Sequence, residues 1–427
     1  MLLNLVYLVA ILLASPVLAS RAIRQGKYRR GWQAKLRGRV ELPEPTRPRV
    51  WFHAVSVGEV NLLGGLVARL RERRPDLEIV VSTTTATGYE LALKRFPPEH
   101  VFYCPLDFSW AVERSLRTVR PDALVLAELE VWPNLIRQAK RHGIPVAVIN
   151  GRLSETSFRG YQRLRPLIAP TFARLSLVAA QNETYADRFA RLGTDPAAIA
   201  VTGSTKFDDA PLSRETEAIR SFRRLVAAAP EQPIFVAGST QAGEEAVALE
   251  AYAALLERSP ELRMILVPRH AERFDEVAAE IQRHGFLCRR RSELAAPARE
   301  WDPRTVVLVD SIGELRSWWG LATVAFVGGS LGSRGGQNML EPAGYGAAVC
   351  FGPNTRNFRD IVEELLAARA AEVVTDRDAL VEFVARMLAT PEQAERMGAA
   401  AREVIERHQG ATNRTLEHLE KILPAAN

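Results

Sequence analysis

Glu59 closes the run His53-Ala54-Val55-Ser56-Val57-Gly58-Glu59, directly after an apolar stretch. A carboxylate placed just beyond a strand suits proton abstraction by a general base. Capping of the following helix is the plainer role, because a helix start favours negative charge. Gly58 permits close approach of a ligand or backbone, which favours the base. A second grouping, Ala127-Glu128-Leu129-Glu130-Val131-Trp132-Pro133-Asn134, ends the apolar run from Asp122 to Ala127. A buried carboxylate without a partner is costly, so at least one of Glu128 and Glu130 should face a cleft. On an extended backbone the two share a face, and Pro133 opens the next helix. A pair of salt-bridged or capping acids is the alternative. Lys206 lies in Thr202-Gly203-Ser204-Thr205-Lys206-Phe207-Asp208. It can hold an anion, although the P-loop spacing is absent and a lone lysine is more often merely solvated.

The second half of the chain carries five turns at strand ends. They are Gly238-Ser239-Thr240, Val267-Pro268-Arg269-His270, Asp310-Ser311-Ile312-Gly313-Glu314-Leu315, Gly328-Gly329-Ser330-Leu331 and Gly335-Gly336-Gln337-Asn338-Met339-Leu340-Glu341-Pro342. Glycine N–H groups and helix starts along one sheet edge make an anion site suited to a nucleotide phosphate. The dinucleotide fingerprint is missing. The 7 histidines show no metal-ligand spacing and no GxSxG nucleophile elbow occurs, so neither metal nor cofactor is expected. The 3 cysteines are too scattered for a disulfide framework.

These turns need strands to hold them. Short apolar runs alternate with amphipathic helical stretches, which is the pattern of a mostly parallel, doubly wound α/β sheet. Strands are expected at 50–55, 78–82, 101–105, 123–127, 146–150, 177–180 and 199–202. After a charged, Ala-rich break at 208–233 they resume at 234–237, 264–267, 306–309, 324–327, 348–351 and 373–375. At 427 residues the chain is too long for one core. The expected organisation is a membrane anchor (1–20), a basic linker (21–49), a first α/β domain (50–212) and a second, nucleotide-binding one (213–427). The final helical stretch is free to cap either half. Two such domains place a cleft at the carboxyl ends of their strands.

Residues 1–19, MLLNLVYLVAILLASPVLA, carry no charged side chain and are long enough to enter a bilayer. Eight basic residues lie between Arg21 and Arg39, with no acid before Glu41. The net charge of the whole chain is +6, so the remainder is slightly acidic. The charge therefore describes a flank that favours an anionic membrane surface, and nucleic-acid signatures are absent. A signal peptide would carry its charge ahead of the apolar run, so the expectation is an uncleaved anchor with the rest cytoplasmic.

As a set, several motifs resemble the 3-deoxy-D-manno-octulosonic acid (Kdo) transferase family of GT-B glycosyltransferases. They are the S-V-G-E turn, E-x-E-x-W-P-N-L, N-G-R-L-S at Asn150 to Ser154, K-F-D at Lys206 to Asp208, P-R-H, G-E-L at Gly313 to Leu315 and G-G-Q-N-x-x-E-P. The resemblance implies two Rossmann-like domains facing a cleft. It implies inverting transfer of Kdo from CMP-Kdo to the lipid A precursor, lipid IVA, at the cytoplasmic face of the inner membrane. It places the proton acceptor on Glu59 and transition-state stabilisers on Glu128 and Lys206, with Glu130 the neighbouring acid of the same motif. CMP contacts fall on Pro268, Arg269, Ile312, Gly313, Glu314, Asn338 and Glu341. Gln337 stands where many relatives carry His. A GT-B enzyme using a UDP-sugar, or a periplasmic two-lobed solute-binding protein with Ser20 as its mature terminus, are the competing readings.

Overall fold

The structure, a computed structural model, describes residues 3–9, 12, 13, 15, 31–294 and 302–425. The chain divides into two compact units, Met1–Asp209 with Gln409–Asn427, and Ala210–His408.

Among the described residues, the first unit holds a seven-stranded sheet. Its strands are β1 (Arg49–His53), β2 (Glu78–Thr83), β3 (Val101–Tyr103), β4 (Ala123–Ala127), β5 (Val146–Gly151), β6 (Leu177–Ala180) and β7 (Ile199–Val201). All are parallel, in the order β3-β2-β1-β4-β5-β6-β7. Successive residues of a strand point to opposite faces, and here both faces are covered. Val50 and Phe52 of β1 enter one core cluster, and Trp51 between them enters the other. That two-sided burial is why the strands read as continuous apolar runs. Helix Val57–Arg73 packs through Val60, Leu63, Val67 and Leu70, the i, i+3, i+7 stripe of an amphipathic helix. Each such side chain contributes about 1.5–3 kcal/mol when fully buried, which fixes the helix start against the sheet. Helix Ala411–Glu420 also belongs to this unit, with Leu416 and Leu419 fully buried in the same cluster.

The second unit, among the described residues, holds another seven-stranded sheet. Its strands are β8 (Ile234–Thr240), β9 (Arg263–Pro268), β10 (Leu287–Arg290), β11 (Thr305–Leu308), β12 (Val324–Val327), β13 (Ala348–Phe351) and β14 (Ala371–Val373). They too are parallel, in the order β10-β11-β9-β8-β12-β13-β14.

Several local readings change. β10 was not expected: its Leu-Cys-Arg-Arg is an exposed edge strand with no apolar run to mark it. β14 begins two residues earlier than the pattern implies. Arg49, read as linker, opens β1 fully buried, its guanidinium paired with Glu78 at 2.6 Å and hydrogen-bonded to the carbonyls of Pro43 and Val119.

Part of the apolar amino-terminal run, and residues 21–30 of its basic flank, fall outside the described residues. Residues 3–9 are helical. Asn4 Nδ2 donates to Ser109 Oγ at 2.7 Å and the Tyr7 hydroxyl to Asp107 Oδ2 at 2.8 Å. Among the described residues, no helix is long and apolar enough to cross a membrane.

Candidate functional sites in the two units

In an open parallel sheet, ligands gather outside the carboxyl ends of the strands where the strand order reverses. In the first unit that point lies between β1 and β4. Glu59 follows β1 and Glu128 follows β4, so the topology sets both carboxylates beside it.

Glu59 sits in the first turn of helix Val57–Arg73, whose N-cap is Ser56. Ser56 Oγ donates to Glu59 Oε1 at 2.8 Å, the Val55 N–H donates to Oε2 at 2.7 Å, and the Glu59 N–H reaches back to Ser56 Oγ at 3.4 Å. This is a reciprocal capping box. The capping and base roles are therefore compatible: the donors from Val55 and Ser56 anchor the carboxylate and leave it a lone pair for a proton. Burial lifts Glu59 above the usual carboxylate range, against those hydrogen bonds, and the Glu128 charge adds to the rise.

Glu128 is held differently from the extended geometry expected. Its φ is +54°, in the left-handed region that disfavours side chains with a Cβ. β4 stops at Ala127, the Glu128 N–H bonds the Ile149 carbonyl at 2.9 Å, and the Glu130 N–H turns back to the Ala127 carbonyl at 3.3 Å. The two glutamates thus leave a turn and are not alternate residues of one strand face. Backbone strain of this kind costs about 1–3 kcal/mol and persists only where surrounding bonds impose it. Glu130 accepts from the Trp132 indole N–H at 2.9 Å. Burial, then the charges of Glu59 and Glu128, push Glu130 up to about 7.

Lys206 lies in the short helical turn Thr205–Phe207 after β7. Its Nζ is 3.3 Å from Glu128 Oε1. Two side chains place that turn, and composition gave no hint of either role. Asn150, itself left-handed at φ +52° and fully buried, accepts from the Thr205 N–H through Oδ1 at 3.2 Å. Asp208 accepts from the N–H groups of Gly410, Ala411 and Thr412 at 2.6, 3.2 and 2.5 Å, capping helix Ala411–Glu420. Asp107 plays the equivalent part for helix Pro133–Arg141, taking the N–H groups of Asn134 and Leu135 at 2.9 and 2.8 Å. Burial raises Asp107 to about 6 despite those bonds. The described residues of the first unit therefore bring Glu59, Glu128, Glu130 and Lys206 into one charged neighbourhood.

In the second unit the reversal lies between β8 and β12. Here an expectation fails. The N–H groups of Gly329, Ser330 and Leu331 do not await a phosphate: the buried Glu244 carboxylate accepts all three, at 2.6, 2.9 and 2.9 Å, and that of Gln241 at 2.9 Å. Gly328 has the Glu244 Oε2 and the Thr240 Cα against it, so a Cβ there has no room. The nest is filled by the protein's own anion.

Pro268 ends β9, and Arg269 follows with its N–H bonded to the Thr240 carbonyl at 3.0 Å. The Arg269 side chain lines an open cavity of about 640 Å³, together with Arg334, Gln337 and Arg356. Ile312 and Gly313 form an exposed turn beyond β11, Gly313 at φ +92° in open space, so the backbone angle alone calls for glycine. Glu314 is committed to Arg291, at 3.0 and 3.1 Å. Asn338 Oδ1 accepts from the Leu340 N–H at 3.1 Å, at the start of the short helix Leu340–Gly344 that carries Glu341. Of the residues expected at the nucleotide, Arg269 lines this cavity; the others lie at the end of β9, in the turn after β11 and at the start of helix Leu340–Gly344. Among the described residues, no group of three or more His, Cys, Asp or Glu side chains is placed to hold a metal ion.

Comparison with known proteins bears on the whole chain. The family model described as 3-Deoxy-D-manno-octulosonic-acid transferase (kdotransferase) matches residues 27–209. A 3-deoxy-D-manno-octulosonic acid transferase of Haemophilus influenzae is 36% identical over 392 residues, 90% of this chain and 89% of that protein. The enzyme of the same name from Bordetella pertussis is also 36% identical, over 89% of each. Among solved structures, a UDP-GlcNAc 2-epimerase from Neisseria meningitidis bound to UDP-GlcNAc superposes with a TM-score of 0.58 at 14% identity, covering 87% of this chain and 100% of its own. That likeness shows the GT-B-like α/β fold alone. Identity at this level across nine-tenths of both sequences shows that the chain belongs to the 3-deoxy-D-manno-octulosonic acid transferase family.

Proposed function

We propose that this protein transfers Kdo from CMP-Kdo to the lipid A precursor lipid IVA, with inversion at the anomeric carbon. The observation that carries the reading is membership of the family across nine-tenths of the chain, whose Glu59 is a desolvated, hydrogen-bonded carboxylate beside a Glu128–Lys206 pair. Glu59 takes the proton of an acceptor hydroxyl as its oxygen forms the new bond to the anomeric carbon. The bond from that carbon to the phosphate oxygen breaks on the opposite face, and CMP leaves with the electron pair. Arg269 offsets the charge that develops on the leaving phosphate, and Lys206, oriented by Glu128, offsets charge at the reacting centre.

The acceptor is a phosphorylated lipid, which suits a chain with a membrane-facing segment. Leu5, Val6, Leu8, Val9, Leu12 and Leu13 are exposed, while Asn4 and Tyr7 are tied to the protein. In our reading this apolar run and its basic flank attach the enzyme to the cytoplasmic face of the inner membrane.

Incubation of the full chain with CMP-Kdo and lipid IVA, followed by mass spectrometry of the lipid, tests the assignment. One or more added Kdo units and release of CMP are expected. Transfer from UDP-sugars alone would falsify it. Recovery of most of the protein with Ser20 as its first residue would remove the anchor.

A further inference from the structure

The mechanism above uses one arginine of the second unit, but the cavity it lines has more. Arg334 and Arg356 stand on the same 640 Å³ space as Arg269. An adjoining cavity of about 360 Å³ shares Arg356 and adds Arg359. Among the described residues, none of these four guanidiniums has an ion-pair partner. Elsewhere in the unit Arg273, Arg291 and Arg386 are paired with Glu245, Glu314 and Glu372 at 2.7, 3.0 and 2.6 Å. All four are exposed, and like charges gathered on one open surface without a counter-ion build a positive potential that attracts an anion.

The loops that carry them are fastened together. The Asn357 N–H donates to the Gly335 carbonyl at 3.0 Å, and its side-chain amide to the Arg334 carbonyl at 3.1 Å. The Asn354 N–H and side-chain amide donate to the carbonyls of Ser330 and Leu331, at 2.9 and 3.1 Å. Gly335 and Gly336 both have positive φ, +98° and +83°, and a Cβ at Gly335 would strike Arg356 and Asn357. The loop after β12 is thereby folded down onto the loop after β13. Arg334 and Arg356 are held on a common scaffold, which lowers the entropy lost when they grip a ligand.

The geometry points to a second anion subsite, formed by Arg334 and Arg356 beside Arg269, that takes the carboxylate of the donor sugar. This inference rests on CMP-Kdo being the donor. Such a donor carries two separate negative groups, a phosphodiester and a sugar carboxylate. A planar guanidinium fork matches a carboxylate bidentately, which an ammonium does not. Arg269 serves the phosphate and the Arg334–Arg356 pair selects a sugar that is an acid.

Calorimetric titration of the full chain with CMP and with CMP-Kdo tests this. The variants are Arg334→Gln, Arg356→Gln, the double substitution, Arg356→Lys, and Arg269→Gln as the contrasting site. The double variant should weaken CMP-Kdo binding about 10- to 100-fold while CMP binding changes less than about 3-fold, since CMP lacks the carboxylate. Arg356→Lys should recover part of the loss, and Arg269→Gln should weaken both ligands. Equal weakening of CMP and CMP-Kdo in the double variant, with an unchanged melting temperature, would assign the pair to the nucleotide phosphate and overturn the proposal. Unchanged binding of both ligands overturns it as well. A wild-type chain that binds neither ligand removes the donor assignment itself, and with it this subsite.

Discussion

The Lys206 ammonium lies 3.3 Å from Glu128 Oε1, although the two residues follow strands three places apart in the sheet. Glu128 reaches it from a left-handed turn at φ +54°, and Lys206 from a one-turn helix pinned by Asn150 and Asp208. Both partners are about a quarter to a third exposed, so the pair adds little to stability. Its worth lies in orienting a cation.

Lys206→Met and Glu128→Gln should each lower kcat by about 10²–10³-fold, the usual cost of removing one electrostatic stabiliser. Because each residue acts through the other, the double variant should fall well short of the product of the two losses. Steady-state kinetics on the four proteins reads this directly. Strict multiplicativity would mean that the two side chains act independently.

Glu59 serves as helix cap and as base, and two substitutions separate these roles. Glu59→Gln keeps an acceptor for the capping box, so it should retain the melting temperature while kcat drops about 10²–10⁴-fold. Ser56→Ala removes the cap hydroxyl and should cost about 1 kcal/mol of stability with a smaller kinetic effect. Thermal unfolding beside initial rates distinguishes them. Full activity in Glu59→Gln would pass the base to another group.

Glu130 is held near pH 7 by burial and by its acidic neighbours. Its folded value lies above its unfolded one, so the native state binds the extra proton. The stability linked to that proton is fully present below about pH 4.5 and is lost as pH rises through about 7. Glu130→Gln should therefore unfold at a higher temperature than wild type at pH 8, and the difference should shrink toward pH 5. Parallel melting curves at the two pH values would show that Glu130 is not the group responsible.

Glu244 accepts four backbone N–H groups from within the second unit. Glu244→Gln turns an acceptor into a donor facing donors, and about 3 kcal/mol or more should be lost. Circular dichroism melts of the variant check this. Retained stability would mean that water or a solute anion replaces the carboxylate.

The alternation of apolar runs made most of both sheets legible, because strands buried on two faces need no periodicity to be seen. β10 escaped for the converse reason, its Arg289 and Arg290 belonging to an exposed edge. Glu59 and Glu128 could be singled out because carboxylates just beyond apolar strands are costly to bury unpaired, whereas Lys206 alone reads as a solvated lysine and its contact with Glu128 shows only in the fold. The left-handed turn at Glu128 was not, since it depends on the Ile149 carbonyl of a neighbouring strand. The filled nest at Gly329 was equally hidden: Glu244 is 85 residues away in sequence. Local glycine patterns report that N–H groups converge, and only the fold reports what they converge on.

The cap that Asp208 places on helix Ala411–Glu420 bears on the order in which the protein is made. The second unit is one continuous stretch, Ala210–His408, whereas the first must wait for residues from Gln409 onward. Until that helix leaves the ribosome, the seats of Leu416 and Leu419 in the core are empty and Asp208 has no N–H groups to hold. The unit synthesised first is thus completed last, after its neighbour has the means to fold. A chain ended at His408 should keep the hydrogen-exchange protection of β8 to β14 and lose that of β5 to β7, leaving the Lys206 turn without the anchor that Asp208 gives it.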